Sequence, residues 1–400
     1  MTLPRRFLFA AFGLVCLGAA SAVEASTARR PSEGSRTSGA QEDTERPLSA
    51  EVAPSATGSL LVVSADEHAL VVQEPATGER SAFFRVGISP NAVAVSPDGR
   101  TAVVTNRGER ISGTTISVVD LRGTDPVRTI PLVVPTRDAD RSVTSRSYHR
   151  PSGVTFLPGG RRVLVTCAIE GVLLMVDLVE ARVVGHVELE AEGPQDVVID
   201  HDGAFAYVAN RASGTVSVIE LGRMRLVRAI DAGGGPSGMA LHPFADEIWV
   251  TNAYTNSISI IDLETRNERT EIACGAMPVD VCFTPDGAHA LVTNMQEGDV
   301  SVFDVETLRI ERLIELDRVS EDQAKTRPVS MPGRFGLSPL PTRVITHPDG
   351  DLAWISTRRD DRLYVVETNT WTVVASQDAP HAPADLGWSR VTTAPAANAR

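Results

Sequence analysis

A proline returns along this chain at nearly even intervals, and the residues after it follow one pattern. The openings are Pro90-Asn91-Ala92-Val93, Pro151-Ser152-Gly153-Val154, Pro194-Gln195-Asp196-Val197, Pro236-Ser237-Gly238-Met239, Pro278-Val279-Asp280-Val281 and Pro341-Thr342-Arg343-Val344. Their spacings are 61, 43, 42, 42 and 63 residues. Each opening leads through an apolar stretch to a turn such as Ser96-Pro97-Asp98-Gly99 or Thr284-Pro285-Asp286-Gly287. A second stretch ends in Val103-Val104-Thr105-Asn106, Tyr207-Val208-Ala209-Asn210, Trp249-Val250-Thr251-Asn252 or Leu291-Val292-Thr293-Asn294. A third alternates with period 2 and ends acidic, as in Ile258-Ser259-Ile260-Ile261-Asp262, and a fourth closes the unit. That period places successive side chains on opposite faces of a strand.

Four short strands in every ~40–45 residues, joined by polar turns, make the pattern of a propeller blade. Six units cover 90–375, and the two chain ends supply a seventh. Leu60–Ser64, Ala69–Gln73 and Ala82–Val86 match second, third and fourth strands but have no first strand before them. Pro383-Ala384-Asp385-Leu386-Gly387-Trp388 matches a first strand and lies 42 residues after Pro341. The sequence therefore predicts an all-β, seven-bladed β-propeller over 57–390 with a split first blade: three strands from the N-terminal end and one from the C-terminal end. Such a clasp removes two unpaired sheet edges.

The Val/Tyr-Val-Thr/Ala-Asn strand ends and Pro-Asp-Gly turns, over about 58–390, resemble the YVTN-type β-propeller repeat family. That resemblance implies exported, often periplasmic or cell-surface, seven-bladed propellers, mostly without a known reaction. Amine dehydrogenase large subunits, the haem-binding propellers of periplasmic nitrite reductases and lactonases are more distant look-alikes. None of their active-site patterns maps onto this sequence residue by residue.

The chain begins with Arg5 and Arg6, an apolar run Phe7–Ala20 and the small residues Ala20-Ser21-Ala22. This is the pattern of a secretory signal peptide over 1–22, with general-secretory and twin-arginine export both open. Export to the periplasm, cell surface or medium is the expectation. Residues 23–56 read as a flexible leader and 391–400 as a flexible tail. No transmembrane segment is expected in the mature chain. The net charge of −13 argues against a nucleic-acid footprint, which draws on a basic surface. Cys167, Cys274 and Cys282 form no C-x-x-C pair. The reading favours buried free thiols over a Cys274–Cys282 bridge. No G-x-S-x-G elbow, P-loop or H-E-x-x-H occurs.

In a propeller the first strand of each blade is innermost. Fourth-to-first and second-to-third connections share one face, here called the top, and the Pro-Asp-Gly turns lie on the bottom. The two longer connections, 134–150 and 317–340, both fall on the top, where function on a rigid scaffold usually sits. The second residue after each opening proline should ring the mouth of the channel: Asp385, Ala92, Gly153, Asp196, Gly238, Asp280 and Arg343. Asp196, Asp280, Asp385 and Arg343 have the chemistry to grip a polar ligand or cation. They equally suit hydrogen bonds to backbone N–H groups. Tyr148, His149, Arg150, Arg334 and Phe335 join them as ligand-binding candidates from the two insertions. His68, His149 and His381 are the candidate metal set. Arg107, Arg110, Arg146, Arg211, Arg358 and Arg359 fit either an anion-attracting patch or a solvated rim of mixed sign. Two functional readings follow. One is a binding scaffold for an envelope protein or small polar ligand, with no cofactor. The other is a periplasmic enzyme or electron-transfer propeller, lactonase-like or holding a metal or haem-like group in the same funnel.

Overall fold

The computed structural model describes residues 58–391, apart from 124–125, 138–142 and 327–331. The stretches read above as signal peptide (1–22) and leader (23–56), and tail residues 392–400, lie outside the described residues.

Valine, isoleucine and leucine dominate the second and third strands of every repeat, and these strands are buried along nearly their whole length. Strands covered on both faces carry continuous apolar runs. The cover comes from the neighbouring blades. The described residues form seven four-stranded antiparallel sheets, arranged as the blades of a propeller, plus one two-stranded hairpin. Seven apolar clusters fill the seven gaps between adjacent blades. Alternation along one strand feeds two clusters at once: Leu61 and Val63 pack against the second blade, Leu60 and Val62 against the seventh. Aliphatic side chains build most of this core, so few aromatic residues are needed.

The inner strands are Pro383–Ser389, Pro90–Val95, Pro151–Phe156, Pro194–Ile199, Pro236–Leu241, Pro278–Phe283 and Pro341–Thr346, for blades 1 to 7. Blade 1 is split as the repeat arithmetic requires. Ser59–Ser64, Ala69–Gln73 and Arg80–Arg85 come from one end of the chain, and Pro383–Ser389 from the other. Val62 faces Leu386 and Leu60 faces Trp388 across the closing pair. Val391 is also buried, and its carbonyl accepts from Ser59 Oγ. The fold therefore reaches one residue beyond the boundary drawn from the repeats.

The first insertion is a hairpin of Val133–Arg137 with Val143–Ser147. The second carries two short helices, Glu321–Thr326 and Pro332–Phe335. Arg359 pins it, donating to the carbonyls of Gly336 at 2.7 Å and Ser338 at 3.3 Å. At 3% exposure, Arg359 is part of the scaffold rather than of the rim.

The residue before every opening proline is left-handed: Ser89, Arg150, Gly193, Gly235, Met277, Leu340 and Ala382 have φ between 46° and 71°. For a residue with a side chain this costs roughly 1–2 kcal/mol. A hydrogen bond holds each one. Its carbonyl accepts an N–H at the end of the second strand of the same blade: from Arg107 inside the longer strand Thr101–Gly108 of blade 2, and from the residue just after the strand in the others, namely Ala168, Arg211, Ala253, Met295, Arg358 and Ala65. This bond seats every second-to-third turn against the start of its inner strand, on the top face.

Candidate functional site

The inner strands bring four of the predicted residues together in the channel. Arg343 Nη1 donates to Asp280 Oδ1 at 2.8 Å and its Nε lies 2.9 Å from Asp385 Oδ1. The other oxygen of each carboxylate stitches one blade to the next. Asp385 Oδ2 accepts from Val93 N–H at 2.7 Å, Asp280 Oδ2 from Val344 at 2.9 Å and Asp196 Oδ2 from Met239 at 3.0 Å. Burial pushes the Asp385 carboxyl up to about 6, against the pull of Arg343, and raises Asp196 as well. Burial also opposes the charge on Arg343, but Asp385, Asp280 and Asp196 outweigh it and hold the guanidinium well above its ordinary value. Arg343, Asp280 and Asp385 are committed to one another and all three carboxylates to backbone, so they brace the ring.

The intervening positions are small for a reason. A Cβ on Gly153 would sit 2.9 Å from Asp196 Cα, and one on Gly238 would sit 2.8 Å from Asp280 Cα. Gly238→Val is expected to destabilise the protein by about 1–3 kcal/mol, read as a lower urea midpoint. An unchanged midpoint would show that the inner strands can move apart freely.

The other candidates divide. Tyr148, expected at the ligand, is 1% exposed and belongs to the core between blades 2 and 3. The hairpin ends beside it, and its ring is covered rather than offered. Arg334 is exposed and donates to Gln296 Oε1 at 2.8 Å; Phe335 is half-buried and its carbonyl accepts from Ser338. The three histidines each meet a different carboxylate. His149 Nδ1 lies 2.6 Å from Glu170, His381 Nδ1 2.8 Å from Asp361 and His68 Nε2 3.8 Å from Glu109. Among the described residues no group of three His, Cys, Asp or Glu side chains is placed to hold a metal ion. Cys167, Cys274 and Cys282 are free thiols whose ionisation burial pushes up.

Arg150 belongs to a different set. Arg107, Arg150 and Arg211 line a depression at the channel mouth, together with Gln195, Ile169 and Tyr254. Burial first, and then repulsion from Arg150, Arg358 and Arg211, lowers Arg107 to about 10. Four guanidiniums thus act on one another across the top of an acidic protein. Arg107 Nε is buried with no hydrogen-bond partner among the described residues, and Nη1 reaches Asn91 Oδ1 at only 3.5 Å. Arg211 is held in place by Ser237 Oγ at 3.0 Å and Tyr254 OH at 3.3 Å, both neutral. A desolvated cation with no counter-charge destabilises the fold, and arginine clusters of this kind recognise carboxylates and phosphates.

No family model matches the chain, and no curated protein does. Solved structures do. The chain is similar to Kuenenia stuttgartiensis hydrazine synthase, at 17% identity and a TM-score of 0.57, over 74% of this chain and 88% of that one. It is similar to a functionally unknown protein from Desulfotomaculum acetoxidans, at 13% identity and a TM-score of 0.65, over 84% and 99%. It is also similar to dihydro-heme d1 dehydrogenase NirN in complex with DHE, at 17% identity and 0.57, over 84% and 78%. At these identities the likeness establishes the propeller and no narrower family.

A signal for the mouth does exist in the repeats. Asn106, Asn210, Asn252 and Asn294 share a column, and Arg107, Arg211 and Arg358 all occupy the column after it. The asparagines serve structure: Asn210 and Asn294 each donate from Nδ2 to a serine Oγ of the next strand at 2.8 Å. Of the arginines beside them, Arg107 and Arg211 meet only neutral side chains among the described residues.

Proposed function

We propose that this protein is an exported, ligand-binding propeller that takes an anion in its top mouth. The observation that carries the reading is Arg107. It is half-buried, with its Nε shut away from water and unpartnered, flanked by like charges and without a carboxylate partner among the described residues, in a chain of net charge −13. Such a group lowers stability unless something negative arrives, which is the usual signature of a binding site rather than a brace.

Titration calorimetry with citrate and with inorganic phosphate, at low ionic strength, tests this. Binding is expected to weaken as salt is added and to fall roughly tenfold or more in Arg107→Met. The ligand-free variant should also melt at a higher temperature than the parent, because a desolvated, unpaired charge is gone. Equal binding by parent and variant would remove the reading. The enzyme or electron-transfer alternative draws only on the names of two similar propellers. A visible absorbance band or bound metal in the purified protein would support it instead.

A further inference from the structure

Resting on that anion site, we propose a narrower class of ligand: a small amphipathic acid, with its acidic group on the arginines and an apolar body across Ile169, Ala212 and Tyr254. These three residues occupy one column of the repeat, the second position of the second-to-third turn in blades 3, 4 and 5. Blades 1, 6 and 7 carry Asp66, Gln296 and Arg359 there. Turns favour small and polar residues, so Ile169 at 56% exposure and Tyr254 at 57% are out of place locally. Single exposed apolar side chains are ordinary. Here both border one depression of about 210 Å³, shared with Ala212, Arg107, Arg150 and Arg211.

Tyr254 is also set in position. Its ring lies against Gly235, where an added Cβ would fall 2.6 Å from ring carbon Cδ2. Its hydroxyl accepts from Arg211 Nε at 3.3 Å, and the Arg211 guanidinium sits over the ring at 5.3 Å. The result is an apolar wall joined directly to a cationic one. A hydrophilic anion would use the arginines and leave Ile169 and Tyr254 wet. An apolar body would cover them, and roughly 60 Å² of apolar surface removed from water corresponds to about tenfold in affinity. The depression is smaller than the ~300–1,000 Å³ of drug-sized sites, which favours a compact acid over a long chain or a protein segment.

Calorimetry on the full chain with acetate, naphthoate and citrate decides this. Naphthoate should bind at least about tenfold more tightly than acetate. Ile169→Ser, at an exposed turn position that holds no arginine in place, should lose part of that advantage and bind citrate as the parent does. Naphthoate binding no tighter than acetate, with citrate still bound, overturns the amphipathic proposal and leaves the anion site standing. Failure of all three acids to bind removes the anion site itself.

Discussion

Arg343→Ala is expected to lower the stability of the propeller by about 3–5 kcal/mol near neutral pH, the usual cost of stripping one partner from a buried charge cluster. Asp280 and Asp385 both contact this guanidinium, Asp196 adds its charge from further off, and the Arg343 side chain is only one-fifth exposed. With it gone, Asp280, Asp385 and Asp196 face one another across the channel. The pH dependence follows from Asp385. Its carboxyl is raised from 3.8 to about 6 in the folded protein. The folded state therefore holds a proton that the unfolded state has released, and stability falls as pH rises through that window. Loss of Arg343 should raise the folded-state value further and carry the fall to higher pH. Thermal melts of parent and variant at pH 5 and pH 7.5 provide the check. The deficit should be larger at pH 7.5. A deficit independent of pH would mean that Arg343 acts only by filling space.

Ending the chain at Ala382 should be more damaging still. It removes the whole inner strand Pro383–Ser389, its pairing with Ser59–Ser64 and the Asp385 bond that ties blade 1 to blade 2. Leu386 and Trp388 also leave the gap between blades 7 and 1. The edge of Ser59–Ser64 is then unpaired, and the truncated chain should lose its cooperative melt and become readily cut by protease. A chain ending at Val391 keeps all these contacts and serves as the comparison. A sharp melt from the shorter chain, at the temperature of the longer one, would show that closure adds nothing.

The architecture was legible because it is repeated. Proline spacing, the Pro-Asp-Gly turns and the orphan strand near 383 each report backbone geometry, and six copies average away local exceptions. Even the closing of blade 1 follows from counting strands. The site was harder to read, since function depends on how copies differ. Asp196, Asp280, Asp385 and Arg343 stand out in their column, and the structure does gather them. Sequence could not say that each carboxylate would spend an oxygen on the neighbouring blade, because that bond links residues 43, 64 and 292 positions apart. His68, His149 and His381 share a face, yet side-chain direction sends each to its own acidic partner. Tyr148 was a ligand-binding candidate from the first insertion, but its ring is buried between blades 2 and 3. Arg107 and Arg211 were visible as basic top-loop residues. What set Arg107 apart was desolvation, which no sequence pattern records.

The split blade also fixes how the molecule can be held. The described chain enters at Gly58, packed against Trp388, and leaves at Val391, two residues after Ser389, whose Oγ donates to Gly99 O in a Pro-Asp-Gly turn. Both points of departure lie on the bottom face. A tag or fusion partner joined directly at either of these points therefore pulls on the side opposite the arginines. Immobilised there, the propeller should present an unobstructed mouth to whatever diffuses past, making orientation a property of where the ring is sealed.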